Sequence, residues 1–188
     1  SDNIKALEYF QLARSQYEAI GYKSNAALLT GNIGLVYMNL SDYEKAFECF
    51  TSALEILEDL GNKHRAAKNL GNLGNLYANE KYEGYNDEKA EELLINALTM
   101  FEEIGSKKEQ YELHKPLADI YKKRKRWEEF SYHIEKYIEI RDEVQTEKAR
   151  KEAGMIEQRR LAAERDKDIA IVKAAAEAKL NTTTQLLH

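Results

Sequence analysis

The sequence predicts an all-α protein: a helical solenoid of about three and a half helix pairs over residues 1–140, then a long charged helix over 141–188. Three observations carry that expectation. In the stretch from Asn32 to Leu54, Ile33, Gly34 and Tyr37 form a small-and-apolar helical stripe, and Ala46, Phe50 and Ala53 recur at i, i+4 and i+7. The same set returns as Leu73, Gly74, Tyr77, Ala90, Leu94 and Ala97, and more loosely as Leu117, Ala118, Tyr121, Phe130, Ile134 and Tyr137. The steps agree as well: Ala13 to Ala53 is 40 residues, Ala53 to Ala97 is 44, and Ala97 to Tyr137 is 40, with Gly21, Gly61 and Gly105 keeping the first two steps. A fixed period of this size is the mark of a repeat array.

Residues 3–20 read as a lone second helix, with Ala6, Phe10, Ala13 and Tyr17 turned toward its successor and Gly21 closing it as a C-cap. Residues 24–39 and 43–59 make the first full pair, with an N-cap offered by Ser41-Asp42. Gly31, Gly34, Gly71 and Gly74 each cost about 1 kcal/mol inside a helix, so a side chain at these positions is expected to hold neighbouring helices apart. The second pair, about 64–79 and 88–104, carries an inter-helix segment four residues longer, Glu80 to Asp87, in which Tyr82 and Tyr85 flank Gly84 and look exposed. The third pair, 108–123 and 127 onward, contains Pro116, which predicts a kink or a helix that starts late. Lys122 to Arg126 is a run of five cations; we read it as a solvated helix end that favours the C-terminal dipole.

Residues 141–168 hold eight acidic and eight basic side chains, with i, i+4 pairs such as Glu147–Lys151 and Lys148–Glu152 supporting an exposed helix. Ile169, Val172, Ala176, Leu180, Thr183 and Leu187, spaced by three or four, form a candidate two-stranded seam and predict a parallel homodimer through residues 169–187.

The repeated set L-G-x-x-Y…A-x-x-x-F-x-x-A resembles the tetratricopeptide repeat over roughly residues 3–140. The usual first-position Trp is replaced by Thr30, Leu70 and His114, the closing Pro is missing, and the period is about six residues longer than the usual value of about 34. The longer period is similar to repeats of signalling scaffolds and bacterial regulators. The resemblance implies a concave groove lined by the first helix of each pair. Its positions here are Asn32, Leu35 and Asn39, then Lys68, Asn72, Asn75 and Asn79, then Lys115, Asp119 and Lys123. Asparagine both donates to and accepts from a peptide backbone, so this set resembles asparagine-lined repeats that grip an extended peptide. A chaperone-tail carboxylate clamp is not matched, because Gly31 and Leu35 stand where it uses Lys and Asn. The opposing reading of the asparagines is structural, as turn caps and bridges between repeats.

Composition excludes other classes. A net charge of −5 gives no reason to expect nucleic acid, and no run approaches the roughly 18 apolar residues of a membrane span. The lone Cys49 forms no internal disulfide and reads as a small core residue, which with the absence of a signal-like start leads us to expect a cytoplasmic protein. His64, His114, His133 and His188 show no metal-ligand spacing, His133-Ile134-Glu135 lacks the P-C-x-x-C of a zinc deaminase, and the GNxG runs follow no strand. We therefore expect no catalytic residues, metal or cofactor, and a protein or peptide as ligand. The chain opens without Met inside a repeat, so we expect a piece of a longer protein. The alternative function is a sensory segment ahead of a class III nucleotide cyclase, histidine kinase or phosphatase domain.

Overall fold

The structure is a computed structural model and describes residues 2–186, with the side chains of 171, 172 and 175–186 outside the described set. Its elements are α1 (Asp2–Ala19), α2 (Lys23–Asn39), α3 (Tyr43–Asp59), α4 (Lys63–Tyr77), α5 (Asp87–Ile104), α6 (Lys107–Lys123) and α7 (Trp127–Leu186). The chain divides into two units, Ser1–Asp142 and Glu143–His188.

Within the first unit every turn is closed by the same hydrogen bond. Between pairs, Gly21, Gly61 and Gly105 take φ of 76°, 63° and 74°, and the next N–H donates back to the carbonyl of Tyr17, Leu57 or Phe101 at 2.9 Å. Glycine carries no Cβ penalty there, as expected of a C-cap. Within pairs the acceptors are the carbonyls of Tyr37, Tyr77 and Tyr121, which take the N–H of Asp42, Asn86 and Arg126, again at 2.9 Å. In the first and third pairs a non-glycine residue, Ser41 or Lys125, supplies the left-handed φ. Asp42, Asn62 and Asn86 then cap the following helices by accepting from backbone N–H groups of their first turns.

Packing follows the repeated set. Ala46, Phe50, Ala53 and Leu57 of α3 and Ala90, Leu94 and Ala97 of α5 are all fully buried. A Cβ on Gly34 would lie 2.6 Å from the Phe50 ring, and one on Gly74 would lie 2.6 Å from Leu94 Cγ. The first helix of each pair therefore touches the second through bare backbone. In the third pair both small positions are larger: Ala118 replaces the glycine and the partly buried Phe130 replaces the alanine.

The insertion corrects one expectation. Tyr82 is 7% exposed, not a surface residue, and packs against Tyr43, Phe47 and Tyr77 with ring centroids 5.8–6.5 Å apart. The four extra residues loop out while Asn86 still closes onto the Tyr77 carbonyl, so Tyr82 is free to fold back into the cluster. Gly84 lies flat against that ring: a Cβ there would come within 2.6 Å of it. Tyr85 stays half-exposed and donates its hydroxyl to Asp87 at 2.6 Å. Pro116 lies inside α6, which starts at Lys107 and so does not start late. The Glu112 carbonyl that Pro116 leaves unpaired belongs to an exposed residue, within reach of water.

In the second unit the side chains of 145–170 are exposed, and Lys151–Glu147 at 2.6 Å and Arg160–Glu157 at 2.7 Å support the helix locally. Of the expected seam only Ile169 is described, at 47% exposure; the side chains of Val172, Ala176, Leu180 and Thr183, and all of Leu187, lie outside the described residues.

Two outcomes follow from this packing. Ala53→Leu or Ala97→Leu should lower stability by about 1–3 kcal/mol in denaturant melts through overpacking, while Glu55→Leu on the exposed face should change little. Tyr82→Ala should cost about 3 kcal/mol, as emptying a buried aromatic site does; a neutral result would return Tyr82 to the surface.

Candidate functional site on the inner face of the array

The first helices of the pairs form a face of their own. α2 touches α4 and α4 touches α6, whereas α1, α3 and α5 do not touch one another. The array thus curves with α2, α4 and α6 on its inner side. Two glycine contacts set their spacing. Asn69 of α4 places Oδ1 2.7 Å from where a Cβ of Gly31 would be, and Leu113 of α6 lies 2.9 Å from the corresponding point on Gly71. Asn69 is 3% exposed and donates Nδ2 to the Arg65 carbonyl, and its Oδ1 has no hydrogen-bond partner among the described residues. Arg65 ties α4 to α2 through Nη1, which donates to the Ser24 carbonyl, the Ser24 hydroxyl and Asn25 Oδ1 at 2.6–2.9 Å.

A recess of about 110 Å³ opens between α4 and α6. Gly71, Leu113 and Phe101 contribute its apolar lining, and Lys68, Asn72, Asn75, Lys108, Glu109 and Glu112 its polar lining. Gly71 borders it with bare backbone, against which Leu113 packs. Three of the sequence-predicted groove residues, Lys68, Asn72 and Asn75, meet here. The others do not. Asn32 is half-buried and Asn39 exposed on α2, outside the recess. Asn79 stands at the head of the insertion, where its Oδ1 accepts the Lys81 N–H at 3.0 Å, a turn-capping role. Lys115 donates to Asp119 at 3.0 Å; Asp119 also borders a second hollow, of about 240 Å³, with Pro116 and Lys123. The acidic half of the recess, Glu109 and Glu112, was not singled out in the sequence, because α6 residues are assigned to the groove by register alone.

The basic run is largely engaged. Lys123 Nζ contacts Glu80 at 2.5 Å and sits over the Tyr85 ring, and the Glu80 and Tyr85 hydrogen bonds hold its ammonium well above the usual lysine range. Arg124 pairs with Glu91 and Glu88, while Arg126 pairs with Glu91 and Glu129 and stacks on Tyr121. These cations join α6 and α7 to α5. Burial and the bond to Glu91 push the Tyr121 phenol up to about 12. Cys49 is half-buried behind Gly34, and burial raises its thiol above the usual range, which opposes a nucleophilic role.

One constellation escaped the sequence reading. His114 and His133, 19 positions apart, bring their Nδ1 atoms to 2.8 Å inside the third pair. Neither lies in a spacing motif, so only the packing of α6 on α7 reveals them. Among the described residues no group of three or more His, Cys, Asp or Glu is placed to hold a metal, and no helix is long and apolar enough to cross a membrane.

Residues 24–83 match the family profile of the tetratricopeptide repeat. The first unit is a tetratricopeptide-type helical array with a long helix following. Solved structures share the fold at 20% identity. BtubC (BKLC) from P. vanneervenii aligns over 77% of this chain and 58% of its own, with a TM-score of 0.63. The apo form of RapI aligns over 77% and 52%, with a TM-score of 0.68. A Rap protein complexed with Competence and Sporulation Factor aligns over 71% and 36%, with a TM-score of 0.64. This chain thus spans less than two thirds of the length of each. No curated protein sequence matches it.

Proposed function

We propose that the repeat array is a protein-interaction module that takes an extended peptide or protein segment along its inner face, within a signalling protein. The observation that carries this is the recess between α4 and α6, where Lys68, Asn72 and Asn75 of α4 share one lining with Lys108, Glu109 and Glu112 of α6. Amides suit the donors and acceptors of a peptide backbone, and the mixed charges suit a ligand that carries both signs. A Rap protein with the same fold has been solved with Competence and Sporulation Factor, which supports a ligand on this kind of scaffold. Lys68, Asn72 and Asn75 are the proposed contacts, with Asn32, Asn39, Lys115 and Asp119 extending the face; Asn79 is left to the turn it caps.

The second unit is proposed to pair in parallel with a copy of itself. Met155, Ile156, Leu161 and Ile169 are 47–67% exposed on a helix otherwise covered in charge, and self-association would take such side chains out of water.

The groove is tested by panning a displayed random-peptide library on the 188-residue chain, then measuring the selected peptides against Asn72→Ala/Asn75→Ala. Losing two hydrogen-bonding amides should weaken binding about tenfold or more with helicity unchanged. Undiminished binding to the variant would move the site elsewhere. For pairing, sedimentation of the full chain should show a dimer that a chain ending at Arg141 does not form. Two monomers at high concentration would refute the seam, and two dimers would place the contact in the repeats.

A further inference from the structure

The repeat register gives the His114–His133 pair a meaning that packing alone does not. Moving back one repeat, by 44 positions from His114 and 40 from His133, leads to Leu70 and Leu93, which share one core cluster. One repeat earlier the address holds Thr30 and Cys49. The array therefore fills this joint with non-ionised side chains twice, and with two histidines the third time. Both histidines are buried, at 2% and 8% exposure. The His133 ring stacks on Tyr121 with centroids 5.2 Å apart, and Tyr132 meets both imidazoles edge-on. The joint is otherwise aromatic.

At 2.8 Å between Nδ1 atoms, one imidazole donates and the other accepts. That arrangement requires at least one ring neutral at Nδ1. Protonating both places two N–H groups head to head and converts the bond into repulsion. The charged groups around the pair do not compensate equally. Lys136 of α7 opposes a charge on His114, while Glu91 of α5 and Glu129 of α7 favour one on His133. Both carboxylates are already engaged by Arg126, Glu91 also by Arg124 and the Tyr121 hydroxyl.

We propose that His114 and His133 form a proton-sensitive latch that fastens the first turns of α7 onto α6 and releases them on acidification. The sign follows from linkage. Burial first, then His133 and Lys136, hold the His114 imidazole down at about 4, and burial lowers His133 as well. The released rings recover the ordinary value near 6.5 and take up protons that the closed joint refuses, so closure is favoured above that value and lost as pH falls from it toward 4. An apolar pair would lack this window.

Trp127, the only tryptophan, opens α7 and is a local reporter. In the full chain its emission should shift between pH 6.5 and 4.5 while ellipticity at 222 nm still holds. In His114→Leu/His133→Leu, which copies Leu70 and Leu93, that shift should vanish. Superimposable Trp127 curves for the two proteins would overturn the latch. Histidine-resolved NMR on the unsubstituted chain provides a check independent of the variant's folding. His114 and His133 should stay neutral below the ordinary imidazole range and then change together with Trp127, whereas independent titration of the two at the ordinary imidazole value would overturn it.

Discussion

The structure depends on how closely the first helix of a pair can lie on the second. At Gly34 against Phe50 and at Gly74 against Leu94 there is no room for a methyl group between them. The helix-propensity cost of about 1 kcal/mol per glycine is offset by seating a large side chain directly on backbone. Everything beyond the pair inherits that distance. Gly31 and Gly71, three residues earlier, then let the next first helix approach on an adjoining part of the surface, through Asn69 and Leu113. Three residues turn a helix by about 300°, which leaves the two glycines of each GNxG run only about 60° apart, so the run presents two adjacent bare patches to two different neighbours. The inner recess lies beside the second contact, with Gly71 and Leu113 in its lining.

Once that geometry is set, the array tolerates different chemistry at equivalent addresses. The joint that is Thr30 and Cys49, then Leu70 and Leu93, becomes a hydrogen-bonded imidazole pair in the third repeat. The turn that closes in five residues at Tyr37 and Tyr121 closes in nine at Tyr77, on the same carbonyl. A loop insertion costs little closure entropy, and here it places Tyr82 in the aromatic cluster. The third pair has Ala118 where the others have glycine, and around it charge takes a larger part. Glu91, with its side chain 17% exposed, gathers Arg124, Arg126 and the Tyr121 hydroxyl. Such partly buried, multiply bonded groups are worth more than isolated surface pairs.

The sequence by itself determined the helices, their order, the repeat register and the positions of closest approach, because each depends on side-chain size at a fixed local spacing. Ala46, Phe50 and Ala53 declare one buried face, and Gly21, Gly61 and Gly105 declare turns, whatever lies beyond them. Tertiary structure alone decided matters that depend on partners distant along the chain. Tyr82 looked exposed because its neighbours are polar, and it is buried because α3 and α4 offer it rings. Asn79 looked like its neighbours Asn72 and Asn75, and its side chain is taken up by the turn that follows, where it accepts the N–H of Lys81. His114 and His133 carry no pattern in one dimension; the crossing of α6 and α7 brings them to hydrogen-bonding distance, and burial then alters their acidity.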